Sequence, residues 1–99
     1  MSNEKIVVEN VNVPGHTSRV DKAKYDAMRD ALLAALRLGA NHAMPVKEAL
    51  DVLRPNLPDD LFPGGKTSGW WQKTVQLDLE AKGLVERTTD KPMRIYRTR

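Results

Sequence analysis

Thr67 to Arg87 reads TSGWWQKTVQLDLEAKGLVER, and the fold turns on this stretch. Trp71, Val75 and Leu79 recur at helical spacing, so one face of a helix over about Ser68 to Lys82 faces a core. Gly83 supplies the left-handed residue that ends such a helix, because it carries no Cβ to clash there. Beyond it, GLVERT and MRIYRT are short strand-like runs separated by TDKP, which is a hairpin signal. Trp70, Thr74, Leu77 and Ala81 make a second apolar stripe beside the first, and Gln72, Lys73, Gln76 and Glu80 fill the polar side. Asp78 falls between core positions, and Lys82 four residues on can pair with it.

Upstream of this unit, Tyr25, Met28, Leu32, Ala35 and Leu36 predict a first helix over 21–38. Asp21 is its cap, with Ser18 as a competing start, and Gly39 its stop. Pro45 suits the first position of a second helix, whose buried stripe is Val46, Ala49, Leu50 and Leu53. The proline- and glycine-rich link PNLPDDLFPGGKTSG reads as a compact loop over Leu57, Leu61 and Phe62. Residues 1–19 read as an extended arm with one strand over Lys5 to Glu9, leaving 20–99 as the folded domain. Three helices followed by a two-stranded wing is the winged helix-turn-helix order, in which the third helix enters the major groove and the wing lies along the backbone.

The chain has 99 residues, 40% hydrophobic and 29% charged, which suits one folded domain with a modest core. With no cysteine, disulfides and thiolate metal sites are excluded. No apolar run approaches membrane-spanning length and MSNEKIVVEN lacks the pattern of a signal peptide, so the expected location is the cytoplasm with no membrane contact. The net charge is +3, unevenly spread. Lys66 to Arg99 holds eight basic against four acidic residues, whereas the first 65 residues hold eight against nine. That asymmetry puts a positive field on the C-terminal third, where a nucleic-acid contact is expected. A solvated mixed surface is the alternative.

LDLEAKGLVER resembles the helix-end and wing-start signature of many bacterial winged-helix regulators, carried by Leu79, Glu80, Gly83, Leu84, Val85, Glu86 and Arg87. FPGG at 62–65, GWW at 69–71, KTVQLDLEAKG at 73–83 and the closing Lys91-Pro92 together resemble a small, uncharacterised bacterial family of winged-helix-like proteins, over nearly the whole chain. A more distant likeness is to the amino-terminal winged-helix domain of Mrr-type restriction systems, whose nuclease domain has no counterpart in these 99 residues. The resemblance implies a winged helix and assigns no activity.

The leading functional expectation is a DNA-binding module, with a transcriptional regulator as its implied role and double-stranded DNA as its partner. Lys66, Thr67 and Ser68 lie where free helix amides and the helix dipole favour phosphate. Gln72, Lys73 and Gln76 form an expected exposed arc for base edges, and Arg87, Lys91, Arg94 and Arg97 supply a basic wing. The second expectation is a protein-interaction or homodimer module built on Trp70 and Leu77, with the β-branched arm near Ile6 to Val8 free to join a sheet edge. Three readings of Trp70 stand open: a cover over the proline-rich loop at Leu61 or Phe62, an interface anchor, and a contact to nucleic acid. An enzyme is not expected. His16 and His42 lack metal-ligand spacing, no acid pair finds a second catalytic group, and GGKT at 64–67 has Asp60 where a phosphate loop needs its first glycine. No cofactor, metal or small-molecule ligand is implied.

Overall fold

The computed structural model describes residues 4–99. Three α-helices carry the core: α1 (Lys22–Ala35), α2 (Val46–Leu53) and α3 (Ser68–Ala81). Among the described residues, five short strands make two antiparallel sheets. β1 (Lys5–Glu9) pairs with β2 (Thr17–Asp21), and β5 (Arg94–Arg97) lies between β3 (Met44–Pro45) and β4 (Val85–Arg87). Among the described residues no helix is long and apolar enough to cross a membrane.

Local chemistry accounts for the helix ends. The Asp21 carboxylate accepts from the Lys24 amide at 3.0 Å, the N-cap that the sequence predicts. At the end of α3, Gly83 stands at φ +76° and the Leu84 amide returns to the Leu79 carbonyl at 2.9 Å. Helix α1 stops three residues short of the predicted position 38. There β5 takes over the backbone: the Arg97 amide donates to the Arg37 carbonyl, its guanidinium to the Leu36 carbonyl, and the Gly39 amide donates back to Arg97. Gly39, at φ +92°, is therefore a corner leading toward β3 and not a helix stop. Pro45 likewise precedes α2 and belongs to β3, which is too short for alternation to reveal.

The larger correction concerns the N-terminal arm. Its predicted strand is present as β1, but β2 returns beside it, with Ile6 opposite Val20 and Val8 opposite Ser18. Val8 and Val20 are buried, so the hairpin packs one face on the helices. Asp78 of α3 fastens it by accepting from the Glu9 amide at 2.9 Å. The same carboxylate accepts from the Tyr25 hydroxyl of α1 and pairs with Lys82 at 2.5 Å. One buried acid thus ties α1, α3 and β1 together. Residues 1–3 of the predicted arm lie outside the described residues.

The core between these elements holds Met28, Leu32, Leu53, Phe62, Val75, Leu79, Val85 and Ile95, all buried. Trp71 closes it beside the proline-rich loop, meeting Phe62 edge to face with ring centres 6.3 Å apart. The loop's start is joined to α3 through Arg54 Nε, which donates to Ser68 Oγ at 3.1 Å.

Candidate nucleic-acid interface

On α3, Trp71, Val75 and Leu79 are buried as the helical spacing predicts. The polar side departs from expectation. Gln72 is 3% exposed and Gln76 5%, so they form no open arc for base edges. They begin a ladder at i, i+4 spacing: Gln72 Nε2 donates to Gln76 Oε1 at 2.6 Å, and Gln76 Nε2 to Glu80 Oε2 at 3.1 Å. Arg87 of β4 closes it with two bonds to the Glu80 carboxylate, at 2.5 and 2.8 Å. The physical reason is coverage from outside the helix. Val46 of α2, Met93 of the β4–β5 turn and Arg87 line a groove with the two glutamines, and a self-satisfied amide ladder can be buried there at little cost.

Cations of the β4–β5 hairpin are also engaged within the chain. The hydrogen bond from Arg87 to Glu80 is the main influence raising its already high pKa. Arg94 pairs with Asp90 at 2.9 Å, and the Asp90 carboxyl is held below its usual value first by the Thr88 hydroxyl and then by Arg94. Arg97 donates to the Leu36 and Arg99 carbonyls at 3.0 and 2.6 Å, so it braces backbone. Ser68 is buried against Arg54 and does not present its hydroxyl.

Other predicted contacts remain open to solvent. Lys66, Lys73 and Lys91 are exposed, and none has an acidic partner among the described residues. They mark the entry to α3, its second turn and the β4–β5 turn. Thr67 precedes α3 at φ +63°, with its hydroxyl donating to the Lys66 carbonyl at 2.5 Å, so no side chain caps the first helical amides. Those amides and Lys66 and Lys73 lie at one end of the helix, where an anion is favoured.

Of the three readings of Trp70, the cover over the loop is a place taken by Trp71, which meets Phe62. It is 58% exposed and stands edge-on to Trp71, with ring centres 5.1 Å apart. Leu77 is half-buried, and both line a cleft of about 140 Å³ between α3 and the β1–β2 hairpin. His16 and Ser18 of the hairpin share that cleft. Sequence reasoning missed them because Thr17 to Asp21 contains a single apolar residue, Val20, and so gives no alternation to mark a strand. Among the described residues no group of three or more His, Asp or Glu side chains is arranged to hold a metal ion.

The class defined by these elements is a small α/β chain of three helices and two antiparallel sheets, with a cation-bearing helix entry and an exposed tryptophan. The chain belongs to a family of unknown function (DUF6958), whose model matches residues 5–95. That span runs from β1 into β5 and so includes the N-terminal hairpin. No curated protein and no solved structure matches the chain.

Proposed function

We propose that the chain is a winged-helix DNA-binding module that holds duplex DNA mainly through its phosphates. The order α1, β3, α2, α3, β4, β5, with β3 completing a three-stranded sheet on the hairpin β4–β5, supports the winged-helix reading. The observation that carries the function is the unpaired trio Lys66, Lys73 and Lys91, at the entry of α3, on its second turn and on the wing. Cations already matched to carboxylates lose part of any gain on meeting phosphate, whereas unpaired exposed lysines release condensed counterions. With Gln72 and Gln76 buried, few side chains are left to read base edges, so phosphate contacts dominate and sequence preference is weak.

Anisotropy of a labelled duplex tests this reading. Three phosphate contacts give a slope of about −2.7 in log K against log salt, or about a 40-fold loss of affinity between roughly 50 and 200 mM salt. Binding that ignores salt, or no binding at roughly 50 mM, would remove the DNA reading.

A further inference from the structure

The phosphate contacts proposed above make no use of the cleft beneath Trp70. Its floor is apolar, made by Val8 and Val20 of the hairpin and Leu77 of α3. One wall is the Trp70 ring, fixed edge-on by Trp71 while remaining 58% exposed. Its rim carries His16, Ser18 and Thr74, whose side chains make no hydrogen bond within the described residues. A space of about 140 Å³ is close to that of cavities known to take a single six-membered ring, at about 150 Å³.

Charge narrows the occupant. Lys73 lies three residues after Trp70 and Lys66 four before it, so an exposed aromatic surface has an unpaired cation on either side in sequence. An aliphatic side chain of a protein partner would use the floor and leave the lysines and the polar rim idle. A nucleotide uses the floor, ring and rim: the base stacks on Trp70 and its polar edge meets the rim, where Glu9 accepts from an exocyclic amine, while Lys66 and Lys73, which flank Trp70 in sequence and do not line the cleft, are left for the adjoining phosphates. We infer that the cleft between α3 and the β1–β2 hairpin receives one unpaired nucleobase, stacked on Trp70, at a DNA end or a locally opened step. This rests on the nucleic-acid reading above and adds the state of the base that is bound.

The test compares a blunt duplex with the same duplex bearing a short single-stranded overhang, by anisotropy at one salt concentration, for the native chain, Trp70→Ala and Trp70→Phe. The overhang is expected to raise affinity about tenfold, in line with stacking of one base. Trp70→Ala removes that gain and leaves blunt-duplex affinity within about twofold, while Trp70→Phe keeps most of it. Because Trp70 is mostly solvent-exposed, neither variant threatens the core. An overhang that adds nothing, or a gain that survives Trp70→Ala, overturns the inference and leaves duplex binding standing. Overhang binding that depends on Trp70, with no binding of the blunt duplex, supports the inference and overturns the duplex reading. No binding of either DNA at low salt overturns both, and a dimer that Trp70→Ala dissociates would then assign the cleft to self-association.

Discussion

Asp78→Ala tests the interaction that holds the hairpin wall of this cleft in place. Asp78 is 0% exposed and accepts from three donors: the Tyr25 hydroxyl, the Glu9 amide and Lys82 Nζ. Removing the carboxylate leaves these donors unequal. Lys82 is 39% exposed at its side chain and turns to water, so its loss costs little, as for surface pairs. The buried Tyr25 hydroxyl has no such exit, and an unsatisfied buried donor costs about 1–3 kcal/mol. The charged bond to the Glu9 amide contributes about 1.5–3 kcal/mol more. The expected loss is therefore about 2.5–6 kcal/mol, against a total stability of about 5–15 kcal/mol for a domain of this length.

Urea denaturation followed by tryptophan emission measures that loss, and a melting point lower by about 10 °C or more should accompany it. Tyr25→Phe removes one donor and leaves Asp78 with two partners, so about 1–2 kcal/mol is expected. Hydrogen exchange should show the Glu9 amide losing protection in Asp78→Ala, because that bond joins the hairpin to α3. The reasoning fails if Asp78→Ala costs under about 1 kcal/mol, or if Tyr25→Phe costs as much as Asp78→Ala.

Lys73→Ala should reduce the magnitude of the salt slope by about one, while Arg94→Ala, already matched to Asp90, should leave it unchanged; anisotropy over a salt series separates the two. Gln72→Ala or Gln76→Ala should lower stability by about 1–2 kcal/mol without altering preference between two duplex sequences, which urea midpoints and competition binding report. Burial first, then its bond to Asp78, raises the Tyr25 pKa above the ordinary 10.0. Its stabilisation is whole below about pH 10 and falls above it, as the unfolded phenol ionises while the folded one does not; Tyr25→Phe should flatten that decline in denaturation at about pH 8 and about pH 11. Gly69 is exposed, and a Cβ added there would meet nothing within 4 Å, so Gly69→Ala should stabilise α3 by up to about 1 kcal/mol. It should also weaken DNA binding if the helix entry comes close to phosphate, and unchanged affinity would exclude that approach.

What the sequence made legible was local. Trp71, Val75 and Leu79 repeat at helical spacing, Asp21 caps a helix, and the β4–β5 hairpin follows from a turn between two short runs. The Asp78–Lys82 pair was readable from its spacing, but its bonds to Tyr25 and Glu9 were not, since those partners lie 53 and 69 residues away. The glutamines misled for a related reason. A helix wheel sorts side chains by polarity, and two amides four residues apart satisfy each other well enough to be buried whenever another element covers them. That cover comes from Val46, Met93 and Arg87, which are distant in sequence. Hence the helix and its core face could be read, while the direction from which a ligand can reach the helix could not.

That direction constrains the chemistry. The exposed residues of α3 are Gly69, Trp70 and Lys73 near its start and Ala81 at its far end. Between them, Gln76 and Glu80 are engaged in the ladder, and Leu77 is half-buried between the β1–β2 hairpin cleft and the groove beside the β4–β5 hairpin. Ala81 itself borders Pro14 and Gly15 of the hairpin turn. A helix laid lengthwise in a major groove needs several turns of free surface, whereas the exposed stretch from Gly69 to Lys73 covers little more than one, or roughly 7 Å. On the proposed DNA-binding reading, α3 meets DNA end-on, through its first amides, Lys66 and Lys73. End-on approach makes poor use of base edges and brings the Trp70 ring forward with the phosphate contacts. The Gln72–Gln76 face is closed by α2 and the β4–β5 hairpin, whereas the cleft beside Trp70 is built by the β1–β2 hairpin, so the closed polar face and the open aromatic cleft of α3 come from different neighbours.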